Sequence, residues 1–164
     1  MSKNLYILRH AIAVPRGTPD IEDELRPLTK DGRQKMKAIA DGMRALGLKF
    51  DRILSSPYVR AMQTAEIVGQ VFNQEVRAFK PLIPTTDHRQ LVNSLARVHE
   101  SSLLLVGHEP HLSEFISILI SGNPHAQIEL KKGGLCKLRV DLLTYGQCAT
   151  LEWLLAPAQL RKLG

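Results

Sequence analysis

The sequence predicts a single three-layer α/β/α domain with a mostly parallel central sheet and an antiparallel edge, and three observations lead there. Strand-like and helix-like segments alternate over the first 120 residues, the pattern of helices crossing over a parallel sheet. Two strands, Leu5-Tyr6-Ile7-Leu8 and Leu103-Leu104-Leu105-Val106, are apolar without a break, as strands covered on both faces are. The last third shifts to strand-like segments around Gly133-Gly134, which suits an antiparallel, hairpin-like addition at one edge. A chain of 164 residues fits one domain, 1–164, and can bury a core without metal or disulfide staples.

The elements follow in order. Residues 3–9 form the first strand, which stops on Arg9 and is followed at once by His10. Residues 11–28 are a long connection bearing Pro15, Gly17, Pro19 and Pro27 and an acidic group, Asp20, Glu22, Asp23 and Glu24; connections of this length inside compact domains are often functional. Thr29 has the hydroxyl of a helix N-cap, and Met36, Ile39, Ala40, Met43 and Leu46 supply the apolar stripe up to Gly47. A short strand at 52–55 runs into Ser56-Pro57, a capping hydroxyl followed by proline at the first helical position, with Ala61, Ala65, Val68, Val71 and Phe72 on the buried face. A third strand over 76–79, a loop marked by Pro81, Pro84 and Asp87, and a helix over 88–98 come next. The strand at 102–106 ends in Gly107-His108-Glu109-Pro110, and Pro110 opens a helix to about Ile120. Strands are expected at 127–130, 135–142 and 149–155, and residues 156–164 read as a short basic tail.

Composition narrows the classes. No apolar run approaches the roughly 20 residues of a membrane span, and Met1–Asn4 leads straight into the first strand, leaving no room for a secretory signal. A cytoplasmic protein is expected, with no membrane partner and with Cys136 and Cys148 as reduced thiols in the core. The net charge of +6 is spread along the chain among few aromatics, which argues against nucleic acid and suits attraction of an anionic substrate. His88, His99, His111 and His125 read as surface or capping residues, and His108 and His111 lack a third ligand at a metal-site spacing, so no metal is expected. Gly133-Gly134 reads as a turn, Trp153 as core.

The chemistry converges on two strand ends. If the strands ending in Arg9-His10 and Gly107-His108 are parallel neighbours, both histidines stand at one edge of the sheet, where ligands of such folds collect. The helices opening at Pro57 and Pro110 bring N-termini to the same edge, and Arg60 lies in the first turn of one of them. Two arginines, two imidazoles and helix starts suit a dianion, and arginine forks match phosphoryl oxygens.

On these residues the chain resembles a known family. Ile7-Leu8-Arg9-His10-Ala11 resembles the Arg-His-Gly signature of the histidine phosphatase superfamily, which includes the phosphoglycerate mutases; 55–65 (SSPYVRAMQTA) resembles its second block and Val106-Gly107-His108-Glu109-Pro110 its third. The short length, Arg26-Pro27-Leu28-Thr29 and Asp31-Gly32 are similar to the SixA branch, the phosphohistidine phosphatases. The likeness extends from residue 5 to about 122, with Ala11 where the family usually has glycine. It implies a phosphoglycerate mutase-like fold and a cofactor-independent phosphatase in which His10 is the nucleophile, Arg9 and Arg60 grip the phosphoryl oxygens, and His108 adds a donor. Arg26 and Glu109 are further candidates for substrate contact.

The proton donor is the open role. Relatives acting on esters carry an acid after the third strand, where this chain reads Pro81-Leu82-Ile83-Pro84-Thr85-Thr86-Asp87. Asp87 and Asp20 are the leading candidates, with Glu22, Glu24 and Glu109 beside them. A poor acid position favours a P–N bond, because imidazole protonated at nitrogen leaves as a neutral group. Connections after residue 72 are modest, so a shallow site open to a phosphohistidine on another protein, such as a histidine phosphotransfer domain, is expected. A phosphatase for small phosphate monoesters and a non-catalytic phosphate- or phosphoprotein-binding module are the alternatives.

Overall fold

The computed structural model describes residues 2–164. Six strands form one mixed sheet in the order β3-β2-β4-β1-β5-β6: β1 (Lys3–Arg9), β2 (Arg52–Ser55), β3 (Val76–Ala78), β4 (Ser102–Gly107), β5 (Leu135–Val140) and β6 (Ala149–Leu155). The first four run parallel to one another, β5 pairs antiparallel with β1, and β6 pairs antiparallel with β5. Five α-helices lie on its faces: α1 (Lys30–Ala45), α2 (Val59–Phe72), α3 (His88–Ala96), α4 (His111–Ser121) and α5 (Pro157–Arg161).

Because strand side chains alternate between faces, each unbroken apolar strand serves two cores. Leu5 and Ile7 of β1, with Leu103 and Leu105 of β4, pack against Leu91 and Leu95 of α3 and Leu112, Phe115 and Ile116 of α4. Tyr6 and Leu8, with Leu104 and Val106, pack on Met36, Ile39 and Met43 of α1 and Ala61, Ala65 and Val68 of α2. The expected three-layer architecture is therefore present, with β1 and β4 central.

Loops at the carboxyl edge of the parallel strands are tied into these cores one leucine at a time. Leu28 ends the long connection 10–29, Leu82 lies in the turn after β3, and Leu130 precedes β5; all three are buried. Thr29 caps α1 through its hydroxyl, which accepts the Gly32 N–H at 2.9 Å.

Several expectations are corrected. Residues 127–130 form no strand: the free edge of β1 is already taken by β5, and the alternation of Gln127, Ile128, Glu129 and Leu130 reflects an irregular segment that sinks only Leu130 fully. The hairpin strand ends at Val140, not 142. Helix α2 begins at Val59 with Tyr58 as its cap residue, and the Ser56 hydroxyl accepts the Tyr58 N–H just ahead of it while also meeting His108. His111 is buried, with its ring stacked on His88 at 4.7 Å. The expected tail instead contains α5, which packs on α1. Among the described residues no helix is long and apolar enough to cross a membrane, and no group of three or more His, Cys, Asp or Glu side chains could hold a metal ion.

The α1–α5 contact is close. A methyl group on Gly42 would stand 1.9 Å from the Leu160 carbonyl oxygen, and the Leu160 side chain is fully buried. Gly42→Ala is therefore expected to destabilise the fold by about 1–3 kcal/mol through overpacking, and Leu160→Ala by about 2–5 kcal/mol through loss of buried contact. Urea unfolding midpoints check both, and a Leu160→Ala midpoint equal to wild type would mean that α5 is not part of the folded unit.

Candidate active site

The parallel pairing of β1 with β4 sets Arg9 opposite Gly107, so the chain turns out of both strands at the same level. The His10 N–H donates to the Gly107 carbonyl at 3.0 Å, locking the two exits together. The rings of His10 and His108 lie 5.3 Å apart, centre to centre. Arg60, in the first turn of α2, reaches the same space while only 1% exposed. A pocket of about 310 Å³ results, with Arg9, His10, Arg60 and His108 all in its wall. Arg16, Arg26, Glu109 and Lys132 complete its polar lining, beside Ala13, Pro15 and Pro84.

Both imidazoles are neutral, and the partner of His10 fixes its tautomer. The Nδ1–H of His10 donates to the Ala11 carbonyl at 2.7 Å, which leaves Nε2 as an unprotonated lone pair. Burial, reinforced by the charges of Arg60, Arg9 and Lys132, pushes the His10 pKa down to about 3 against the hydrogen bond to Ala11. The turn is held to α2 by Thr64, whose hydroxyl accepts the Ala11 N–H at 3.0 Å and donates to the Arg60 carbonyl at 2.7 Å. His108 Nε2 lies 2.7 Å from the Ser56 hydroxyl, which also accepts the Tyr58 N–H. With one lone pair toward Tyr58, that hydroxyl keeps a proton and a second lone pair for Nε2, so it satisfies either neutral tautomer of His108. The His108 Nδ1 is buried without a partner. Burial, then His10 and Arg60, push the His108 pKa down to about 2.

The arginines are held through one carboxylate. Asp23, in the 3₁₀ turn Asp23–Leu25, accepts Arg26 Nε at 2.9 Å and pairs with Arg16 Nε at 3.3 Å through one oxygen. Its other oxygen lies 3.4 Å from Arg60 Nη2, and its backbone carbonyl accepts Arg60 Nη1 at 2.6 Å. Burial alone would raise the Asp23 pKa; the Arg26 hydrogen bond and the charges of Arg60, Arg26 and Arg16 outweigh it and hold the carboxyl below its usual range. Arg9 is fixed by donating Nη1 to the Leu130 carbonyl at 3.1 Å, while Gly133 and Gly134 hydrogen-bond to its backbone on the turn that the sequence predicts there. The Nε atoms of both Arg9 and Arg60 remain buried and unpartnered. Such groups are costly unless a ligand satisfies them.

Of the remaining sequence candidates, Arg26 is a buried wall residue that also donates to the Val14 carbonyl at 2.7 Å. Glu109 is the one carboxylate in the pocket wall among the described residues; burial raises its pKa against the Ser113 N–H that it accepts at 2.8 Å. Neither Asp20 nor Asp87 lines the pocket. Asp20 is exposed at a left-handed turn position (φ 64°), and Asp87 caps α3 by accepting the Arg89 N–H at 2.8 Å. Glu22 and Glu24 are exposed outside it. Sequence reasoning passed over Arg16, Lys132 and the organising role of Asp23, since each reaches the site from a loop whose path no local pattern records. Ser56 carried a signal, a hydroxyl directly after a strand, but it reads equally as a helix cap.

The buried neutral histidines make stability pH-dependent. In the unfolded chain each takes up a proton near the ordinary value of 6.5, whereas folded His10 and His108 resist to about 3 and about 2. Between those values the unfolded state binds more protons, so stability falls as pH falls from 6.5 toward 3, by up to about 1.4 kcal/mol per pH unit for each histidine. Urea titrations at descending pH are expected to show this slope and a shallower one in His108→Gln.

Residues 5–83 match the model of the histidine phosphatase superfamily, branch 1. An uncharacterized protein of Picosynechococcus sp. is 37% identical over 139 residues, covering 82% of this chain and 84% of its own length. Phosphohistidine phosphatase SixA of Escherichia coli is 24% identical over 162 residues, 96% of each chain. A structure of the protein histidine phosphatase SixA complexed with tungstate superposes with a TM-score of 0.83 at 24% identity, over 96% of this chain and 99% of that one. The chain therefore belongs to the histidine phosphatase superfamily, as a phosphatase with the fold of SixA.

Proposed function

We propose that the protein removes phosphoryl groups from phosphohistidine on a partner protein, such as a histidine phosphotransfer domain, through a covalent intermediate on His10. The observation that carries this reading is the His10 ring, with Nδ1–H committed to the Ala11 carbonyl and Nε2 left neutral, in the wall of a pocket shared with Arg9, Arg60 and His108. In the first step the Nε2 lone pair attacks phosphorus in line and the substrate P–N bond breaks. The departing imidazole, protonated at its other nitrogen, takes the bonding pair and leaves neutral. Water then attacks the phosphoryl group, the bond to His10 breaks, and His10 regains its starting tautomer because Nδ1 kept its proton throughout. Water's protons leave with inorganic phosphate. Neither step needs an external acid.

Arg9, Arg60 and His108 hold the transferring oxygens. For phosphoryl transfer, most of the rate comes from this positioning and charge stabilisation. Likeness to SixA supports the same substrate class. Glu109 supports a second reading, a phosphatase for small monoesters, because a half-buried carboxyl with a raised pKa is a suitable acid for an alkoxide leaving group.

Side-by-side assays with a phosphorylated histidine phosphotransfer domain and an alkyl phosphate monoester, whose alkoxide leaving group needs the acid, separate the two. The P–N substrate is expected to turn over faster by about 10²-fold or more, His10→Ala to lose the trapped labelled enzyme, and Glu109→Gln to retain P–N hydrolysis. Comparable rates on both substrates with loss of both in Glu109→Gln would establish the monoester reading instead, and full labelling of His10→Ala would remove His10 from its role. Asp23→Ala is expected to lower kcat/KM about tenfold by releasing Arg60, with Asp23→Glu recovering part of it.

A further inference from the structure

Beside the phosphoryl pocket, and sharing Arg9 and Lys132 with it, lies a second hollow of about 520 Å³. Its polar wall is cationic: Lys35 comes from α1, Lys131 and Lys132 from the loop before β5, and Arg161 from α5. Its apolar lining comes from Ile12, Ile39 and Pro157. No Asp or Glu side chain lines it. Among the described residues, Lys131, Lys132 and Arg161 form no ion pair, and Lys35 pairs only with Asp31 one turn away at 3.1 Å. Both of those side chains are largely exposed, so the pair contributes little.

Neighbouring like charges without counter-charges repel, and an anionic partner relieves that repulsion. Carboxylates alone would not need the apolar surface between the cations. The match is a chain segment that alternates acidic and apolar side chains, and the hollow is larger than the phosphoryl pocket that it adjoins. We propose that this groove docks an acidic, partly apolar segment of the phosphoprotein substrate while the phosphorylated side chain enters the adjoining pocket. The inference rests on the phosphoprotein reading above and names the surface that selects the partner.

The test uses the full chain and the variant K35E/K131E/R161E, whose three positions lie outside the phosphoryl pocket. A fluorescent, unphosphorylated peptide of alternating glutamate and leucine is titrated into both proteins, beside its glutamine analogue. Wild type is expected to bind the glutamate peptide about tenfold more tightly than the analogue, with the preference lost in the variant and in about 0.5 M salt. Equal binding of both peptides by wild type, or an undiminished preference in the variant, overturns the groove. The same peptides carrying a phosphohistidine give the turnover arm. The acidic one is expected to show about a tenfold advantage in kcat/KM in wild type only, and the neutral one equal rates in both proteins. Binding as expected with neither phosphopeptide hydrolysed would overturn the phosphohistidine reading while supporting acidic docking, so the two failures are told apart.

Discussion

The backbone pairing of β1 with β4 is the constraint on which the rest of the molecule depends. Their register ends both strands together, and the hydrogen bond from the His10 N–H to the Gly107 carbonyl makes the two exits one rigid unit. The rings of His10 and His108 are consequently placed by sheet geometry and not by side-chain flexibility. A slip of one residue would turn every side chain of β1 to the opposite face. It would exchange Leu8 between the two cores and carry His10 away from its partner. The fold cannot lose the histidine pair without also losing its core.

Electrostatics then sets what this edge can hold. Arg9, Arg16, Arg26, Arg60 and Lys132 surround one pocket whose wall contains a single carboxylate. That density of charge persists because both imidazoles stay neutral and because Asp23 offsets three of the guanidiniums from behind. The arrangement leaves Nε of Arg9, Nε of Arg60 and Nδ1 of His108 buried and without partners. Acceptor oxygens and negative charge are what that arrangement lacks.

Most of the framework was legible in the sequence because its signals are local. Unbroken apolar runs gave β1 and β4, the Thr29 hydroxyl gave the start of α1, and Arg9, His10, Arg60 and His108 could be grouped once the parallel strands were recognised. What stayed hidden depends on distant partners. Residues 127–130 alternate like a strand, yet a strand needs an open edge and β1 has none left to offer. Residues 157–161 are too few to show a helical stripe, and only the backbone-close approach of Leu160 to Gly42 makes them part of the core. Asp23 sits in a run of acidic residues that all look solvated, and nothing local distinguishes the one that meets three arginines.

The single buried leucines that pin the site's loops have a consequence for recognition. Leu28, Leu82 and Leu130 fasten the segments that carry Arg26, Pro84 and Lys132, so the rim already has its shape before anything arrives. An incoming group therefore freezes little of the polypeptide as it binds, and more of the contact free energy appears as affinity. Such a rim behaves as a mould that admits what fits its outline.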